Sequence, residues 1–442
     1  WFVSAHAISG SVMLRLFSFA LVVVVGLWPS PARAELQVGV GKAIITPDPL
    51  LPVSGGVGPA RPATGKQGEL TARAMVVARG ETKVALVQLD LLGFPSVLCA
   101  RVHKQVPRIP AENILIGSTH THSAPDCYAF PSPAGDKHTG DLDYMDFVCN
   151  QAAAAINQAL DGLQPAHLKI ATGEAEGKIA YNYYAPELYD PRMSVVQAIT
   201  TDGQTICTLV NYAVHPEVLG NRVGLLSPDL VGPLCDQLEA DLGGMGMFFN
   251  GAQGGMITAD NRILDNPSDP RKARWHDART WEECLRIGRL MASEAERIIA
   301  DASPQLDPPL ECHALEVRFP VDSHLMWLII THSPLNYPHN DDDHTITTRL
   351  NLVNLGDAQI LTIPGEALPN IGYYLKRHMR GQNGNNLLLG LTNDAFGYIL
   401  TEVDFNSFAR YEYISETSLG EMTGEILIEN LLKLVEEHPP GR

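Results

Sequence analysis

No Cys-x-x-Cys pair occurs among the seven cysteines, so neither a thiolate zinc knuckle nor a thioredoxin-type redox motif is available. There is no Gly-x-Ser-x-Gly elbow, which disfavours an ordinary serine hydrolase. The glycine-rich run Gly251-Ala252-Gln253-Gly254-Gly255 lacks the Gly-Lys-Ser/Thr ending of a P-loop and reads as either an anion nest or a tight turn. Asn340 to His344 is acidic but lacks the spacing and glycine of a calcium loop, so it reads as a solvated turn. Positive charge is scarce: 32 Lys and Arg face 50 Asp and Glu, a net charge of -18 that argues against a nucleic acid or an anionic membrane as main partner. A neutral or cationic substrate is easier to accommodate. Internal repeats and low-complexity linkers are absent.

Long apolar runs are also missing. Leu16 to Leu27 is shorter than the roughly 20 residues of a spanning helix, and no later segment comes close. Arg15 before it and Ala32-Arg33-Ala34 after it give the order of a secretory signal peptide, with cleavage expected after Ala34 and Trp1 to Val12 as upstream sequence. Export to a periplasmic or extracellular space follows as an expectation, with an uncleaved anchor as the alternative. In that setting the cysteines could form up to three disulfides, or remain buried thiols.

Hydrophobic residues make up 45% of the chain and charged residues 19%, a balance that folds. Strand-like runs are predicted at Val84 to Leu89, Ile114 to Ile116, Ser194 to Ile199, Cys207 to Val214, Met247 to Phe249 and Gln359 to Ile363. Helix-like stretches are predicted at Tyr144 to Leu160, Pro228 to Leu242, Thr280 to Ala302, Ala367 to Met379 and Ser415 to Glu437. Interleaving of this kind predicts an α/β fold, a layered mixed β-sheet core flanked by helices, with strand order unread. Residues 35–442 are expected to form a single domain, with Asn261 to Asp277 as a surface insertion.

Three chemical constellations stand out, each at a strand end. Ser118-Thr119-His120-Thr121-His122 follows a strand, and in an extended segment His120 and His122 would share one face. Val210 to Val214 runs into His215-Pro216, where proline ends the ladder. Ile360 to Ile363 runs into Pro364-Gly365-Glu366, a carboxylate expected to open a helix. Two histidines and a carboxylate delivered to the carboxyl ends of strands would suit a catalytic zinc.

Taken in order, these segments resemble the neutral ceramidase family from Leu36 to about Tyr413. The resemblance is carried by Gly41 to Pro47, Ser54-Gly55-Gly56, Leu70 to Ala74, Ser118 to Pro125, Asn211 to Gly220, Ser227-Pro228-Asp229, Asn250 to Gly255, Pro364-Gly365-Glu366 and Asn393 to Thr401. It implies zinc held by His120, His215, Glu366 and Tyr398, and His122 as the group that exchanges protons with an attacking water and a leaving amine. Tyr398 or backbone N–H groups near Gly254 would stabilise the oxyanion. The family's catalytic serine aligns with Ile257. Thr258 offers a neighbouring hydroxyl, one residue along and so expected on the opposite face. Tyr183 stands where the family has arginine, and Asp126-Cys127 where it has two glycines. No counterpart of the family's carboxy-terminal β-sandwich is seen.

The reading is a zinc-dependent hydrolase of N-acyl amides acting on a lipid or small-molecule substrate, one that handles long-chain ceramide less well than smaller or more polar amides. The alternatives are an esterase, or a non-catalytic zinc-containing lipid- or ligand-binding protein of the same fold.

Overall fold

The computed structural model describes residues 34–58, 60–132, 137–265, 269 and 274–441. The expected signal peptide, up to Arg33, lies outside the described residues.

Two mixed sheets face each other. The larger has eight strands in the order Met245–Asn250, Thr205–Tyr212, Arg192–Thr200, Gln164–Glu174, Gln37–Ile44, Thr71–Arg79, Thr82–Leu89, Ile114–Ser118. Its outermost pair at each edge is parallel and the inner pairs are antiparallel. The smaller sheet runs Leu310–Pro320, Thr345–Leu355, Ala358–Thr362, Asn386–Leu389, again with one parallel pair at its end.

Side-chain alternation sorts the layers. In the larger sheet Met75, Val77, Val84, Leu86 and Leu115 point inward and meet Val353, Leu355, Ile360, Leu387 and Leu389 of the smaller sheet. The alternate residues Ala74, Val76, Ala85, Val87 and Ile116 point outward, under Ser96–His103 and Leu142–Asp161. Val231–Leu242 and Trp281–Ile299 cover the other half of that outer face, and Pro369–His378 with Thr423–Glu437 cover the smaller sheet. The result is helix, sheet, sheet, helix. Strands buried on both faces read as nearly continuous apolar runs, which is why Thr71–Arg79 is buried along almost its whole length.

Every predicted strand is present within a few residues of its expected bounds, though Cys207 to Val214 ends early, at Tyr212. Two helix expectations are corrected. Ser415 to Glu437 divides into Glu412–Glu416 and Thr423–Glu437; between them the Leu419 carbonyl accepts from Asp322 N and Ser323 N rather than from a helical partner. Glu366 does not open a helix: Glu366–Ala367 is a short strand paired in parallel with Tyr398–Ile399, and the helix starts at Pro369, the N1 position proline favours. The expected insertion contains a surface hairpin, Arg262–Leu264 against Trp275–Asp277. All seven cysteines are free thiols, six of them buried.

Candidate metal centre and cleft

Strand ends and the loops beyond them build the site. Asn250, the last residue of its strand, joins two of those loops: its Nδ2 donates to Thr119 O at 2.9 Å and its Oδ1 accepts from Val214 N at 3.1 Å. The residue after each contact is a site histidine. Asn211 donates to Phe249, Asn250 and Leu388 carbonyls and so fastens the two sheets beneath the same point.

His120 does not sit in an extended segment as expected. Its strand stops at Ser118, and its φ is +69°, a left-handed conformation that a non-glycine residue adopts at a cost of about 1–3 kcal/mol. The turn, rather than the pleat, swings His120 against His122, their ring centres 4.8 Å apart and nearly perpendicular. Met256, Leu391 and Asn393, all near the centre, share positive φ.

His120 Nδ1 is fixed by Leu92 O and His215 Nδ1 by Ile257 O, each at 2.6 Å. Each ring therefore carries its proton on Nδ1 and turns a lone pair on Nε2 inward, the orientation that metal-binding histidines receive from their outer partners. The two Nε2 atoms lie 3.4 and 3.0 Å from the same Glu366 oxygen. Burial would raise the Glu366 carboxyl, but when His120 and His215 are doubly protonated their Nε2–H groups overcome it and hold the group well below its ordinary value; with neutral rings the same space is open to a metal cation.

Ring nitrogens of His120, His122 and His215 all come within 4.8 Å of one another. His122 Nε2 is buried with no hydrogen-bond partner among the described residues. Converging imidazoles, a carboxylate and an orphaned nitrogen fit a divalent metal, and these residues can hold one. Burial, opposed by Glu217, keeps His122 well below the usual histidine value and hence neutral.

Tyr398 is brought beside Glu366 by the parallel pairing of their two short strands, and its hydroxyl rests on Met256 Sδ at 3.5 Å. Thr258 neighbours Glu217, whose carboxylate lies 3.8 Å from His122 Nδ1. Glu217 was not singled out from the sequence, although its place two residues after His215 was a signal within reach.

Four expectations need correction. Gly254 N is no oxyanion donor, since it bonds Ala367 O at 2.9 Å. The Ile257 side chain is fully buried in the core under Val231–Leu242, and it is the residue's carbonyl that serves the site by anchoring His215. Asp126 turns away to accept from Tyr128 N, Ala129 N and the Thr139 hydroxyl, closing its own loop. Tyr183 is 65% exposed and, like Asp126, Cys127 and Ile257, is not part of the cleft wall.

His120, His122, Glu366 and Tyr398 line one cleft, which has about 100 Å³ of space open to water. Its lining also includes the apolar Phe130, Met326, Ile329, Ile330, Phe396 and Leu419. Among the described residues lining it there is no lysine or arginine.

Fold and site together define a layered α/β protein with a histidine and carboxylate centre of metal-binding type. The fold is that of the neutral ceramidases. Against the crystal structure of neutral ceramidase from Pseudomonas aeruginosa the TM-score is 0.71 at 16% identity, covering 92% of this chain and 76% of that one. A ceramidase complexed with C2 gives the same TM-score and coverage at 17% identity. No protein-family model matches the chain, and no curated protein matches it in sequence.

Proposed function

We propose that this chain is a zinc-dependent hydrolase of N-acyl amides, with the metal held by His120, His215, Glu366 and Tyr398. The observation that carries the reading is the convergence of two backbone-anchored histidines on one carboxylate at the end of an apolar cleft. Zinc bound there supplies a Lewis acid for the amide carbonyl and brings the pKa of water toward neutrality.

The protein's own residues do the rest. His122, neutral and with a free nitrogen, takes a proton from the attacking water and returns it to the leaving nitrogen. Glu217 faces its other nitrogen and steadies the cation formed in between, with Thr258 beside it. Tyr398 lies where its hydroxyl can reach the developing oxyanion. Phe130, Ile329 and Leu419 exclude water and receive an acyl chain. The residues expected to spoil ceramide binding stand off this wall, which favours a lipid amide over a smaller, more polar one.

The test combines metal analysis with fatty-acid release from ceramides and N-acyl amines, measured by mass spectrometry. Wild type should carry about one zinc per chain and a His120→Ala, His215→Ala double variant almost none. His122→Ala should keep the metal and lose about a hundredfold or more in turnover. Equal zinc in both proteins sinks the metal assignment. A metal-loaded wild type without turnover on any amide or ester leaves a ligand-binding protein.

A further inference from the structure

The cleft carries one carboxylate that the chemistry above does not use. Of the acidic residues lining it, Glu366 belongs to the metal centre and the other is Asp394. Asp394 is 5% exposed and stands outside the group of histidines that converge on the centre.

Its position is fixed from three sides. Ser96 N and Ala395 N donate to its Oδ1 at 3.1 and 3.0 Å, and the Thr348 hydroxyl donates to its Oδ2 at 2.9 Å. An ionised carboxylate offers about four lone-pair sites, so one on Oδ2 is left over. A cation is what it lacks: Asp394 forms no ion pair among the described residues, and burial outweighs its hydrogen bonds and pushes its carboxyl up. A divalent metal in the centre would be matched by Glu366 and Glu217, with His122 neutral, and so leaves Asp394 unmatched.

Aromatic rings surround the same space. Tyr128, Phe130, Tyr337 and Phe396 all line the cleft, and the first two stack with ring centres 4.8 Å apart. The Tyr337 hydroxyl donates to Tyr128 O at 3.1 Å. Burial raises both tyrosine hydroxyls and the charge of Asp394 raises them further, so its field reaches these rings. A hard metal ion needs six or more oxygen ligands, which one carboxylate with a single lone pair to spare does not supply. An organic ammonium group needs only a carboxylate and aromatic faces, and both are present.

We propose that Asp394, with the rings of Tyr128, Tyr337 and Phe396, is a subsite for an organic ammonium group, so that the substrate is an N-acyl amide whose amine half carries a second, positively charged nitrogen. The substrate assignment rests on the hydrolase reading; the subsite does not.

The test uses the full chain and three octanoyl amides that differ only in the amine half: ethylenediamine, which is cationic, ethanolamine, which is neutral, and glycine, which is anionic. Isothermal titration calorimetry on metal-loaded His122→Ala, which spares the ligands from turnover, gives affinities, and kcat/KM on wild type gives rates. The cationic amide should bind at least about tenfold more tightly than the neutral one, with the anionic one weakest. Adding Asp394→Asn should bring the cationic amide to the affinity of the neutral one and leave the neutral one within about twofold, a change of charge preference that loss of a merely structural carboxylate does not produce. Thr347 is exposed and lines the cleft, so Thr347→Lys, which brings a positive charge into it, should erase the same preference and decides the matter if Asp394→Asn does not fold. Equal affinity for the cationic and neutral amides, or a preference that survives in the folded variant, overturns the subsite. Turnover without charge preference sinks the subsite alone, whereas charge-selective binding without turnover of any amide supports it and removes the hydrolase reading.

Discussion

Glu217 Oε2 stands 3.8 Å from His122 Nδ1, on the side of the ring away from the partnerless Nε2. On the proposed mechanism a carboxylate so placed stabilises the protonated ring by its charge. Glu217→Gln should therefore lower kcat by about ten- to a hundredfold while zinc content and KM stay close to wild type. Steady-state kinetics beside metal analysis reads this, and an unchanged kcat removes Glu217 from the mechanism.

Gly254 is required by space rather than by backbone freedom. A Cβ there would lie 2.1 Å from Glu366 O and 2.8 Å from Ala367 O. Gly254→Ala should push the Glu366 strand off its bed, costing about 1–3 kcal/mol in stability and weakening metal affinity. Thermal unfolding with and without a chelator measures both effects, and a wild-type response in each would contradict the crowding argument.

Asp229 is fully buried and accepts from Val218, Leu219 and Leu230 N–H groups, holding the loop that follows His215. Burial outweighs those bonds and pushes its carboxyl up from 3.8 to about 6. A raised folded value means that the folded protein binds the proton more tightly, so this stability is full below pH 3.8 and is lost as pH rises through about 6. Wild type should lose about 2 kcal/mol relative to Asp229→Asn between pH 4 and 7 in denaturant unfolding. A flat difference would show that the site does not titrate there.

The absence of lysine and arginine from the cleft wall bears on substrate charge. An acyl amide whose amine half is neutral should exceed its N-acyl amino acid counterpart in kcat/KM by about tenfold or more, since a carboxylate would be desolvated without a partner. Comparison of a ceramide with an N-acylglycine of equal chain length decides it. Preference for the acid would refute a neutral cleft.

We also propose export, from the small residues Ala32 and Ala34 after a short apolar run. Amino-terminal sequencing of secreted protein should begin at Glu35. Secreted material that retains Leu16 to Leu27 would contradict it.

Strand positions were legible because burial on two faces leaves unbroken apolar runs such as Met247 to Phe249. The centre was legible as far as residue type, through His120, His215 and Glu366 at strand ends. Geometry was less so. The left-handed turn at His120 depends on Asn250 and Leu92, far off in sequence, and no local pattern announces it. Alignment tied Ile257 to a lost serine, whereas strand pairing with Tyr181 and Asn182 decides which way Ile257 and Thr258 face. The wall of the cleft could not be read either, since it draws on Gly55 to Val57, His324–His332 and Tyr413 at once.

The centre is assembled from loops borne by both sheets, at positions separated by most of the chain. No fragment holds it, and no local folding event can create it. Contacts of such long sequence separation form late, after loop-closure entropy has been overcome. During refolding, metal uptake should therefore lag the recovery of backbone circular dichroism, and activity becomes a reporter of completed topology. A growing chain cannot complete the centre until its last third, with Glu366 and Tyr398, has been made and has docked.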